Sequence, residues 1–271
     1  MRLTSYERNV QREIEQWQHG DTSIVMQAFN WAMQPMDWVV RQIVSPDIQD
    51  QAGAAVEQFL SLLNDASGWT YDADGLLSDA RKAGLEVESI DDLREAPLET
   101  LDKLARTLFN QHTIMAAVEG GGTGLGGAVL IAADIPLLFT INLRLIQQIG
   151  GAFGFPMQGP EYRPLVLSIF NVAASGTKDA KHVALREVSV AAAAVANDLA
   201  YKGRVSGTLN EQTRHFPREI AKNIVGRKLA QTIPIAGAAV GAGINYWFTS
   251  ETAEAAYMIF RALFIERKER L

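Results

Sequence analysis

Residues 119–148 read EGGGTGLGGAVLIAADIPLLFTINLRLIQQ, and the reading of this stretch decides the fold. It opens on a burst of glycines, continues as an apolar segment interrupted by Asp134, and closes on Asn142, Arg144 and a glutamine pair. Glycine in a helix costs about 1 kcal/mol against alanine. Glycines this dense need compensation, from close backbone packing or from a lipid medium in which small side chains pack well. A second stretch, IPIAGAAVGAGINYWF at 233–248, repeats the style. Gly120 with Gly124, Gly122 with Gly126 and Gly237 with Gly241 stand four apart, with Gly127 and Gly243 extending the two runs. That spacing lets helix backbones approach closely, in lipid or in a tight core. The two stretches are expected to be paired helices at the centre of the molecule.

Outward from this centre, every periodic segment has the period of a helix. Thr4-Ser5-Tyr6-Glu7 is a capping box, and Tyr6, Val10, Ile14 and Trp17 then make one apolar face. Residues 22–44 are apolar and aromatic with a break at Pro35, and Asp47 caps a further helix to about residue 64. Residues 65–96 are acidic and glycine-punctuated, a loop-rich subdomain or insertion with short helices begun near Asp72 and Ser89. Pro97 suits a helix start, and Leu98, Leu101, Leu104 and Leu108 form a stripe leading into the first glycine run. Beyond it, Gly150-Gly151, Gly154 and Pro156 break the chain, and helices follow at 161–174, 177–201 and about 251–270. The prediction is an all-α, multi-helix bundle formed by residues 1–271 as a single domain.

The 271 residues are enough for a full core. With 48% hydrophobic residues and mean hydropathy near zero, the chain falls short of a polytopic membrane protein. It has no cysteine, which excludes disulfides and thiolate chemistry, and its charged opening gives no expectation of a secretory signal. A cytoplasmic address is expected. The net charge of −6 is uneven: residues 1–110 are strongly acidic, whereas ten basic and five acidic residues lie between Lys178 and Lys228. Basic charge beside apolar sequence suits an anionic lipid surface. Nucleic acid is not expected, because the basic residues are not interleaved with aromatics.

Few motifs carry chemistry. Gly122 to Gly127 satisfies G-x-G-x-x-G, but a nucleotide site requires a preceding strand and an acid about 20 residues on, and neither is present. The histidines are scattered, so no metal site or cofactor is expected. Glu119, Asp134, Asn142, Arg144 and Asn245 are the polar set within the apolar sequence. They read either as a structural buried ion pair with its hydrogen bonds or as a pocket for a lipid headgroup or other ligand. The 22 uncharged residues between Lys228 and Glu251 are long enough to cross a bilayer, yet Gln231, Thr232, Pro234 and Asn245 lie among them. Buried or surface-lying helices are expected in preference to spans.

Leu3 to Glu7 with Glu13, Ile14 and Trp17, then Glu119-Gly120, Ala133 to Pro136, Arg144 and Gly151 to Phe155 resemble the EcsC family. So do Ile233 to Gly237, Gly241, Asn245 and Tyr246. Phe153 departs from the tyrosine that members often carry there. The family is named for a bacterial protein encoded beside the subunits of an ABC transporter. The resemblance implies a bacterial cytosolic or membrane-associated protein, and no catalytic residue is carried over from it.

The leading expectation is a non-enzymatic, membrane-associated protein that meets lipid through its glycine-rich helices, peripheral on the inner face of the membrane. Lys222, Arg227 and Lys228 would sit at headgroups and Tyr246, Trp247 and Phe248 at the interface. Two alternatives stand beside it. One is a cytosolic subunit that binds a membrane transporter, and the other is an enzyme acting on a lipid or apolar molecule at Asp134 and Arg144.

Overall fold

The computed structural model describes residues 2–20, 71–124, 128–158, 162–175, 181–186, 188–189 and 237–270, with backbone alone at 117–124, 128–135 and 237–241. The fold is all-α. Its elements are α1 (Ser5–His19), α2 (Ala73–Lys82), a 3-10 segment (Ile90–Glu95), α3 (Leu98–Gly124), α4 (Ala128–Ala152), α5 (Arg163–Ala174) and α6 (Gly237–Arg270).

Three long helices make the frame. On α3 and α6, Asp102 meets Arg261 and Arg106 meets Tyr257, so these two helices run antiparallel. On α4 and α6, Phe139 packs on Phe248 and Phe153 on Tyr257, so those two run parallel. The C-terminal end of α3 and the N-terminal ends of α4 and α6 therefore lie at one pole, and the ends of α3 and α6 carry glycine-rich sequence there.

The opposite half of the frame is built on side chains. Leu98, Leu101, Leu104 and Leu108 are all buried there, as the stripe predicts. Nearer the middle, where α4, α5 and α6 meet, the Phe139 ring packs edge to face on Phe170 and on Phe248 at separations near 6 Å, while Phe170 and Phe248 are tilted to each other. Ring pairs in that geometry add about 0.5–1.5 kcal/mol beyond the area they bury.

At its other end α4 stops through a Schellman cap. The Phe155 amide donates to the Gly150 carbonyl (3.0 Å) and the Gly154 amide to that of Gly151 (2.9 Å), with Gly154 at φ +80. This puts Gly150 and Gly151 inside the last turn rather than beyond it. A Cβ at Gly150 would lie 2.6 Å from Met157 and 2.7 Å from Phe260, and one at Gly151 would lie 2.8 Å from Leu76. These two are tight against other helices, while a Cβ at Gly243 would touch nothing. Gly243 is not a close-packing residue here. Gly120, Gly122 and Gly124 lie within α3 and Gly237 and Gly241 within α6, whereas Gly126 and Gly127 lie outside the described residues.

Two elements differ from expectation. The second glycine-rich stretch and the C-terminal helix are one continuous α6 of 34 residues, about 50 Å long at 1.5 Å per residue. No glycine or proline occurs after Gly243 to interrupt it. Residues 71–96, the acidic region, are also no loose insertion. Asp72 caps α2, and Leu76, Leu77, Ile90 and Leu93 join the main core. The Arg94 guanidinium donates to the Gly154 carbonyl at 2.8 Å, tying that segment to the end of α4.

Candidate functional site

The polar set anticipated from sequence is only partly assembled. Asn142 and Asn245 are fully buried on α4 and α6. Asn142 donates to the Leu138 carbonyl at 2.7 Å and to the Thr249 hydroxyl at 3.1 Å, one turn beyond Asn245. With Thr249 and Thr252 also buried, α6 carries a polar stripe through the apolar interface. Arg144 does not join it. Two residues after Asn142 is about 200° around the helix, which turns Arg144 outward to solvent. Glu119 and Asp134 lie within α3 and α4, and their side chains lie outside the described residues, as do Lys222, Arg227 and Lys228 altogether.

The aromatic trio divides. Tyr246 is exposed, whereas Trp247 and Phe248 are wholly buried and are not surface residues in this conformation. The cause is the helical period, which turns Phe248 onto Phe139 and Phe170, with Trp247 against it at 5.9 Å.

A second polar cluster, missed in the sequence, lies where α1, α3 and α6 meet. The buried Arg261 guanidinium pairs at 3.0 Å with Asp102 and at 3.0 Å with Glu13, and it lies over the Tyr257 ring at 4.6 Å. The Tyr6 hydroxyl donates to Asp102 at 2.7 Å. Burial, then proximity to Asp102, pushes the Tyr257 phenol up to about 12, and burial with the Asp102 hydrogen bond pushes Tyr6 up too. Both stay neutral. Burial pushes the Asp102 carboxyl up as well, against the pull of Tyr6 and Arg261. Burial opposes charge on Arg261, yet Asp102, Tyr257 and Glu13 together outweigh it and raise the guanidinium further. The signal was a charge inside each apolar stripe: Asp102 stands four residues after Leu98, and Arg261 four after Tyr257. Their partners lie 96 and 159 residues away, beyond any local pattern.

Next to this cluster, Glu7 is buried and accepts from the Lys268 ammonium at 2.6 Å and from the Thr4 amide at 2.8 Å. Burial alone would raise its carboxyl, but these donors outweigh it and hold it below the ordinary value. On the other side of α3, His112 meets the Gln148 side-chain oxygen at 2.6 Å, which assigns its proton to Nε2. Burial lowers its affinity for a second proton. Among the described residues no group of three or more acidic or imidazole side chains is placed to hold a metal ion. The buried charges are directed at one another, and they form a clamp between α1, α3 and α6.

The chain is 26% identical over 174 residues to the uncharacterized protein YdbA of Bacillus subtilis, covering 64% of this chain and 61% of that protein. It is 30% identical over 159 residues to protein EcsC of the same organism, covering 59% of this chain and 61% of that protein. The match thus spans about three fifths of each relative's length. No solved structure matches. The EcsC protein family matches residues 8–263, nearly the whole chain, and the chain belongs to that family.

Proposed function

We propose that this is a non-enzymatic, membrane-associated helical protein that docks its glycine-rich pole on an anionic lipid surface. The observation that supports this reading is the convergence at one pole of two glycine-rich helix ends, those of α3 and α6, with the apolar start of α4, and with Leu137 and Tyr246 exposed on that side. Exposed large apolar side chains at such a pole suit insertion among headgroups. Lys222, Arg227 and Lys228 precede α6 in the chain and supply cations for the same surface. Among the described residues no helix is long and apolar enough to cross a membrane, so the reading is docking on one face.

Flotation of the purified protein with neutral and anionic vesicles, at low and high salt, tests it. Flotation with anionic vesicles alone, weakened by salt, is the expected result. No flotation under any condition overturns it and turns attention to a membrane-protein partner.

A further inference from the structure

A cleft of about 250 Å³ lies on the flank of the bundle, between the C-terminal end of α1 and the helical residues 181–186 and 188–189. Its lining is Gln18, His19, His182, Leu185, Arg186 and Ser189. Among the described residues the composition is one-sided: a guanidinium, two imidazoles and an amide offer N–H donors, and no described carboxylate lines the cleft. Nε2 of His182 is buried without a hydrogen-bond partner, and a buried polar atom in that state costs about 1–3 kcal/mol until something pairs with it. The Ser189 hydroxyl donates back to the Leu185 carbonyl at 2.9 Å, so it is not free to donate to a guest in this state.

We propose that this cleft binds a phosphate-type anion, held by Arg186, His19 and His182. The volume suits a small ion better than a drug-sized molecule, for which pockets of about 300–1,000 Å³ are usual. The guanidinium fork matches two oxygens of a phosphate, and an imidazole N–H from each histidine reaches the others. A metal cation is disfavoured at the same place, because Arg186 stands beside the imidazoles and no carboxylate or thiolate completes a ligand set. An apolar guest would find only Leu185. The end of α1 opposes an anion with its partial negative charge, and the Arg186 charge and the imidazole donors must outweigh it. Lys181, one turn earlier, is committed elsewhere: its ammonium lies over the Trp17 ring at 4.5 Å, facing Glu251 and Glu254.

The site stands whether or not the pole meets lipid. Glu13 lies level with Arg261, and Trp17 with Glu251 and Glu254, which puts the cleft beside the middle of α6 rather than at its glycine-rich start. Its anion comes either from a soluble phosphate compound or from a phosphomonoester headgroup.

The test is an NMR titration of the full chain with inorganic phosphate, read at the imidazole C–H signals of His19 and His182, with chloride at matched ionic strength as control. The chain has four histidines, so single His→Gln variants assign the signals. The expected result is a saturable shift of both signals together, weakened about tenfold in Arg186→Gln, the equivalent of one lost charged contact. Arg186 is exposed, so that variant should keep its circular dichroism unchanged. His182→Gln gives a second, independent loss. Vesicles of neutral lipid with phosphatidic acid then separate the sources: reversal of the phosphate shifts points to a headgroup, and their persistence points to a soluble phosphate. A shift that never saturates, a shift that chloride reproduces, or unweakened binding in Arg186→Gln overturns the site. Saturable phosphate binding by a protein that never floats would leave the cleft standing and the membrane reading fallen.

Discussion

Arg261 is the side chain on which three helices converge, and its guanidinium is buried between Asp102, Glu13 and the Tyr257 ring. Removing one partner of such a buried pair leaves the other uncompensated, at a cost of about 3–5 kcal/mol. Asp102→Ala is therefore expected to lose that much in denaturant unfolding, and Arg261→Met to do similar harm. The double variant Asp102→Leu with Arg261→Met should be markedly better than the sum of the two, because no orphaned charge remains. Strict additivity would show that the two groups do not act as a pair. Glu7 makes a pH prediction. Its folded carboxyl lies below the ordinary carboxylate value, so its contribution is full above that value and fades as pH falls through the folded one. Glu7→Gln should flatten the acid side of the stability profile below about pH 4.5 and leave the slope above pH 6 unaltered. These residues were legible as charges in apolar stripes, yet nothing local could name their partners. The capping box was legible in full, because Thr4 and Glu7 are three residues apart.

Glycines that look alike in the sequence behave as opposites in their helices. Gly154 has φ +80, and a Cβ on it would lie 2.7 Å from the Arg94 amide nitrogen, so Gly154→Ala should cost well over about 1 kcal/mol and loosen the Arg94 clasp. Gly150→Ala overpacks Met157 and Phe260 and should cost about 1–3 kcal/mol. Gly243→Ala meets nothing within 4 Å in a regular helix and should stabilise by up to about 1 kcal/mol, with thermal melting as the readout. A loss there would mean that the small side chain is needed for something outside this conformation. Periodicity located α1, the first half of α3 and α5 well, since each carries a stripe that a helix must bury. It read the stretch at 119–148 as one helix, whereas that stretch is divided between the end of α3 and α4. It divided α6 in two, because a glycine-rich half and an aromatic half differ in composition although not in period. It also read residues 71–96 as loose. Their anchors, Leu76, Leu77, Ile90 and Leu93, are too few and too widely spread among acids to make a visible stripe.

At the scale of the whole molecule, buried charge and exposed apolar surface are kept apart. The ion clamp sits in the half of the frame opposite the glycine-rich ends, with Leu137 and Tyr246 near the latter. The paired substitution Leu137→Ser with Tyr246→Ser should weaken vesicle flotation several-fold and leave the melting temperature nearly unchanged, since both side chains are exposed. A loss of stability equal to the loss of flotation would argue that the pole is core rather than surface. The clamp itself joins residues far apart in the chain: Glu7 is bridged to Lys268 across 261 positions, and Asp102 to Arg261 across 159. A ribosome delivers α1 and α3 long before α6 exists. During that interval Glu7 and Asp102 lack their cations, and the leucine stripe of α3 lacks the helix that covers it. The nascent chain must therefore wait, unsealed, until its last described helix emerges, and exposed apolar surface of that kind is prone to aggregate.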